Sequence, residues 1–104
     1  MSSFSDREKA FENKYAHDQD TKFRVIARRN KLLGLWAAEL MGKADAEAYA
    51  KEVVASDFEE AGDADVIRKV AGDLEAAGKG VSAADVEAKL AELLPVAMAQ
   101  IDAG

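Results

Sequence analysis

Cysteine is absent from the 104 residues, histidine and proline occur once each, and aromatic side chains make up only 7%. Without Cys there is no disulfide, no thiolate nucleophile and no thiolate zinc or iron–sulfur site, and the expected compartment is a reducing one. The single histidine, His17, rules out a multi-histidine metal site or relay. Long apolar runs are also missing. The N-terminus MSSFSDREKAFENK is charged from Asp6 onward and has no apolar stretch of a secretory signal. Nothing later approaches the roughly 18 apolar residues of a membrane span, so a soluble, cytoplasmic protein without direct membrane insertion is expected. Large apolar side chains are scarce as well. Hydrophobic residues are 49% of the chain, but 22 residues are Ala, leaving 29 larger apolar side chains, enough for one small core.

What is present favours helix. Ala, Glu, Lys, Leu and Arg lose little side-chain entropy in a helix, and no stretch alternates apolar and polar residues between hairpin turns. Gly42, Gly62, and Gly78 with Gly80 divide the chain after Asp20 into four helical blocks. The pattern predicts an all-α four-helix bundle over residues 21–104, preceded by a mobile segment of residues 1–20.

The first block, Thr21 to Met41, sets Phe23, Ile26, Leu33, Trp36, Ala37 and Leu40 on one face by spacings of three and four. Gly34 inside it costs about 1 kcal/mol relative to Ala, a cost that close approach of another helix, or of a ligand, would justify. The second block, Asp45 to Ala61, places Tyr49, Ala50, Val53, Val54 and Phe58 alike, with Asp45 as N-cap. Asp63 is the expected N-cap of a third and shortest helix carrying Val66, Ile67, Val70 and Leu74 and ending at Gly78. The fourth start is the best marked: Ser82 and Asp85 form a variant capping box, with Val81 and Val86 at the staple positions. Its stripe runs through Leu90, Leu93, Leu94, Ala97 and Ile101. Pro95 lacks an N–H and crowds the preceding turn, so a kink near Ala91 to Pro95 or an early helix end is expected.

Residues 1–20 differ from the rest. Phe4, Phe11 and Tyr15 fall within about 40° of one another on a helical wheel, a stripe too narrow to hold the segment firmly to a bundle. An isolated helix of this length is marginal in water, so latent helicity that is completed on a partner is the physical expectation.

The net charge of −6 is unevenly spread. Residues 22–31, KFRVIARRNK, carry +5 through Lys22, Arg24, Arg28, Arg29 and Lys31, whereas residues 32–65 carry −7. The acidic total argues against nucleic acid. The basic cluster suits phosphate or carboxylate, or else pairs with the protein's own acidic second helix. The acidic run from Asp57 to Asp65 imitates a calcium loop, but Ala61 and Arg68 stand where ligands are required, and a charged turn explains it better. Gly72 to Lys79 has the wrong glycine spacing for a phosphate loop and follows a helix, not a strand. The order Ser56-Asp57 is the reverse of an acyl carrier's attachment motif. No serine is placed for nucleophilic chemistry, no cofactor is required by any motif, and an enzyme is not expected.

Taken together, FSDREKAFENKYAHDQDTKFR, ARRNKLLGLWAAELMG and AYAKEVVASDFEEAGDADVIRKVAGDL closely resemble the alphaproteobacterial zeta subunit, a family that inhibits the F-type ATP synthase. The similarity spans nearly the whole chain; departures are a shorter connection after Gly42 and Pro95 in the last helix. The resemblance implies a four-helix bundle with an N-terminal inhibitory segment. In the family that segment enters a catalytic alpha/beta interface of the soluble head, which comprises alpha, beta and gamma subunits, and blocks rotation in the hydrolytic direction. Carried onto this chain, inhibition maps to residues 1 to about 19, with Phe4, Arg7, Phe11, Lys14 and Tyr15 as candidate contacts. The resemblance also implies ADP or ATP as a regulatory ligand of the bundle, and a location peripheral to the inner membrane through the synthase. Arg24, Arg28, Arg29 and Lys31 are the electrostatic candidates for the phosphates. The alternative is a nucleotide-sensing or adaptor bundle acting on another protein.

Overall fold

A computed structural model describes residues 19–57 and 63–103; the segment expected to be mobile, apart from Gln19 and Asp20, lies outside them with its candidate contacts Phe4, Arg7, Phe11, Lys14 and Tyr15 and the single histidine His17, as do Phe58 and Gly62. Four helices follow one another, with no strand among the described residues: α1 Gln19–Met41, α2 Ala46–Ala55, α3 Ala64–Ala76 and α4 Ala83–Ala103. The four-helix, all-α architecture is the one the glycine punctuation predicts, with α1 starting two residues earlier than expected.

The helix ends are chemically explicit. Gly42, at φ +70°, ends α1 in a left-handed turn, and the Lys43 N–H reaches back to the Ala38 carbonyl at 3.0 Å. The Asp45 carboxylate accepts from the Ala48 N–H at 3.0 Å and caps α2. α2 then stops at Ala55, short of the predicted Ala61, and with 10 residues it is shorter than α3, with 13. The Ser56 hydroxyl donates to the Val53 carbonyl at 2.7 Å, and the Asp57 N–H bonds only three residues back, tightening the last turn until the helix cannot continue. Asp63 precedes α3 without a side-chain cap bond, because its carboxylate is engaged elsewhere. At α4 the capping box is reciprocal: the Asp85 N–H donates to Ser82 Oγ at 3.2 Å and the Ser82 N–H to Asp85 Oδ2 at 3.1 Å. α4 runs through Pro95 to Ala103, so the predicted early end does not occur. Pro95 is exposed while Leu94 and Ala97, either side of it, stay buried against Val25 of α1, and that packing offsets an interior proline's cost of about 3 kcal/mol.

α1 is the hub, packing most extensively on α2 and α4 and also touching α3. The main core joins Leu33, Ala37 and Ala38 of α1 to Tyr49, Val53, Val66, Val70, Leu74, Val86 and Leu90. A satellite core of Val25, Leu94 and Ala97, flanked by Ile26, Leu32, Met98 and Ile101, seals the other end of the α1/α4 contact. One sequence expectation fails here. The spacing places Phe23 and Leu40 on the buried face, but Phe23 is 70% exposed and Leu40 is exposed too. Val25 holds the inner position, and a residue two places away points about 200° round the helix, into solvent.

Candidate functional site

The basic stretch divides into two groups with opposite surroundings. Arg24, Arg28 and Lys31 recur at spacings of four and three on the outer face of α1. With Ala27, Val54 of α2, and Gln100 and Ile101 of α4, they line an open cavity of about 500 Å³. Arg28 donates from Nη1 to Gln100 Oε1 at 3.1 Å, and Lys31 lies 3.7 Å from the exposed Glu47 carboxylate. The cavity thus offers three cations over an apolar floor.

Arg29 belongs to the second group and does not face the cavity. It is buried, and its guanidinium forks onto Asp63 through Nη2 to Oδ1 at 2.6 Å and Nη1 to Oδ2 at 3.3 Å. Nε and Nη2 also donate to Asn30 Oδ1, at 3.2 and 2.9 Å. The four-residue phosphate cluster expected from sequence is therefore a set of three, because Arg29 is committed to holding the start of α3. This ion pair reaches Asp63 at the start of α3, whereas the competing reading of the cluster places its partners on the acidic second helix, where Lys31 approaches Glu47.

Asn30 was not singled out by the sequence reading, yet it is 1% exposed and central to this network. Its amide donates from Nδ2 to Asp57 Oδ2 at 3.1 Å. Adjacent residues of α1 thereby hold both flanks of the α2–α3 connection, Asp57 through Asn30 and Asp63 through Arg29. The available signal was an amide standing four residues after Ile26 and three before Leu33, where an aliphatic residue was due. Of the acidic run read as a charged turn, Asp57 and Asp63 are held by these two contacts.

Burial pushes the Asp57 carboxyl above its usual range, against the lowering influence of the Asn30 amide and of Arg29. The folded state then holds this proton more tightly than the unfolded chain does. The associated stability is present at acid pH and lost as pH rises through the folded pKa. Asp57→Asn is accordingly expected to be more stable than wild type at pH 7 and equal to it near pH 3, as read from urea melts at the two pH values. Equal melts at pH 7 would contradict the cost assigned to this half-buried carboxylate.

A third polar group closes the far end of α2. The Tyr49 hydroxyl donates to Asp73 Oδ2 at 2.8 Å, while Lys69 bonds both Asp73 at 3.1 Å and Glu52 at 3.3 Å. Burial, and then Asp73, drive the Tyr49 pKa upward, so it stays protonated as a donor. The Lys43 and Lys69 ammonium groups each lie 5.3 Å from its ring centroid. This group joins α2 to α3. Among the described residues no cluster of His, Asp and Glu is arranged to hold a metal, and no helix is long and apolar enough to cross a membrane.

Comparisons with known proteins bear on the whole chain. No curated protein sequence matches it. A protein solved by solution NMR is 55% identical, with a TM-score of 0.71, the match covering 79% of this chain and 95% of that one. The family described as ATPase inhibitor subunit zeta matches residues 1–100, taking in the N-terminal segment, the basic face of α1 and nearly all of α4. The chain belongs to the ATPase inhibitor subunit zeta family.

Proposed function

We propose that this protein is a non-catalytic regulatory subunit that inhibits ATP hydrolysis by an F-type ATP synthase, with residues 1 to about 19 as the inhibitory element. The observation that carries the reading is the extent of the family match, which runs from residue 1 and so treats segment and bundle as one unit. In this reading the segment enters a catalytic alpha/beta interface of the soluble head and blocks rotation in the hydrolytic direction. Phe4, Phe11 and Tyr15 bury aromatic surface, while Arg7 and Lys14 meet carboxylates. Aromatic side chains bury roughly 150–250 Å² each, and ordering the segment on binding limits affinity while permitting release. The bundle is the anchor to which the segment is tethered, and it keeps the protein at the membrane periphery through the synthase.

The cavity on α1 supports a second element, a site for ADP or ATP on the bundle. Its volume of about 500 Å³ is within the range of small-ligand sites. Arg24, Arg28 and Lys31 supply charge for the phosphates, and Ala27, Val54 and Ile101 supply an apolar floor for the base. Because its described lining lies on α1, α2 and α4 of the bundle, this cavity also favours the alternative, a nucleotide-sensing adaptor with another protein partner.

Titration with ADP and ATP followed by amide chemical shifts tests the site. Shifts are expected to centre on α1 near Arg24 to Lys31 and around Gln100. The double variant R24E/R28E is expected to weaken affinity by about tenfold or more. Unchanged affinity in that variant removes the phosphate assignment. Loss of hydrolysis by the purified head on adding the full chain separates the inhibitory reading from the adaptor reading.

A further inference from the structure

α1 presents a face that the bundle does not use. Phe23 is 70% exposed, more than Leu40 at 39% or Val96 at 41%. It shares a stripe with Arg24, Ala27, Arg28 and Lys31 by spacings of three and four. Among the described residues, the three cations on this stripe are weakly neutralised. Arg28 bonds the neutral amide of Gln100, Lys31 meets Glu47 only at 3.7 Å between exposed groups, and Arg24 has no carboxylate partner among the described residues. An aromatic ring in water beside three such cations matches a protein surface in which carboxylates surround an apolar patch.

Position along the chain says which surface that is. The inference rests on residues 1–18 being the inserted segment. α1 starts at Gln19, so Phe23 lies about 6 Å and Lys31 about 18 Å along the helix axis from that point. A segment held in a crevice therefore brings its mouth within one to three helical turns of this stripe. The tether makes any contact there effectively intramolecular, so even a modest patch contributes.

We propose that Phe23, Arg24, Arg28 and Lys31 form a second docking surface, which seats on an acidic, partly apolar surface of the ATPase head at the mouth of the inhibited interface. Phe23 is the apolar anchor. The cations speed encounter and fix the orientation of α1.

The test uses the full chain as wild type, Phe23→Ser and R24E/R28E, each titrated against the purified head at low and at moderate salt. Phe23→Ser removes a side chain that is already in water and is not part of the cavity lining, so bundle melting and ADP affinity are expected to stay at wild-type values. Its half-inhibitory concentration is expected to rise about tenfold. R24E/R28E is expected to slow the onset of inhibition and to lose most of the wild-type salt dependence. Wild-type inhibition by Phe23→Ser overturns the docking surface. In that case any loss of ADP affinity in R24E/R28E assigns the face to phosphate alone. A wild-type chain that fails to inhibit overturns the inhibitory reading itself, and this surface with it.

Discussion

Gly34→Val is expected to lower the melting temperature of the bundle by about 15 °C, a loss of roughly 3 kcal/mol for a domain of this size. A Cβ at Gly34 would lie 2.6 Å from the Ala50 Cα, and 3.2 Å from both Ala50 Cβ and Val53 Cγ2. The nearest atom is backbone, so no rotamer change relieves the clash and α1 must move off α2. That movement opens the main core, where Leu33 and Ala37 meet Val53 and Tyr49. Gly34→Ala gains about 1 kcal/mol of helix propensity but meets the same contact, so it is expected to fall between wild type and the valine variant. Gly72 is the control. It lies inside α3 with nothing within 4 Å of an added Cβ, and Gly72→Ala is expected to stabilise by about 0.5–1 kcal/mol. Urea and thermal melts of the three variants read the contrast; a wild-type melt for Gly34→Val would contradict the close α1/α2 approach.

Gly34 also marks how far the sequence could be read. Its presence in a strongly periodic block signalled that something approaches closely, and the choice between helix and ligand needed the position of Ala50. Helix number, the Asp45 cap, the Ser82/Asp85 box and the glycine ends of α1 and α3 were legible because each depends on residues within a few positions of one another. The α2 end was not. Tyr49, Val53 and Phe58 continued the apolar spacing, while the stop came from a Ser56 back-bond and from Asp57 meeting Asn30 on another helix. The survival of α4 beyond Pro95 was equally non-local, since the burial of Leu94 and Ala97 against Val25 is supplied by α1.

The candidate site was legible as a cluster but not as a geometry. Five cations within ten residues of one helix must point in several directions, and charge alone cannot say which. The structure sorts them by what lies opposite. Arg29 finds Asp63 from 34 residues away and is buried, whereas Arg24, Arg28 and Lys31 remain around an open cavity. Phe23 was misplaced for a related reason: Val25 and Ile26 satisfy the same apolar spacing, and α4 packs on them instead.

Deletion of residues 1–18 is expected to abolish inhibition while leaving the bundle intact. Among the described residues, the two buried clusters lie between Val25 and Ala97, and the contacts of Arg29 with Asp63 and of Asn30 with Asp57 are retained. The truncated chain should therefore keep the helical circular dichroism of residues 19–104 and melt close to the full chain. Loss of effect then reports on the segment and not on unfolding. The cavity of Arg24, Arg28 and Lys31 is also preserved, so ADP affinity should be unchanged by the deletion, which separates the bundle's ligand from the segment's partner.

The most direct measurement is the steady-state ATP hydrolysis rate of the purified catalytic head with a saturating excess of either chain. The full chain is predicted to suppress hydrolysis, and the chain lacking residues 1–18 to leave it at the uninhibited rate. Full suppression by the truncated chain, or none by the intact one, would contradict the account.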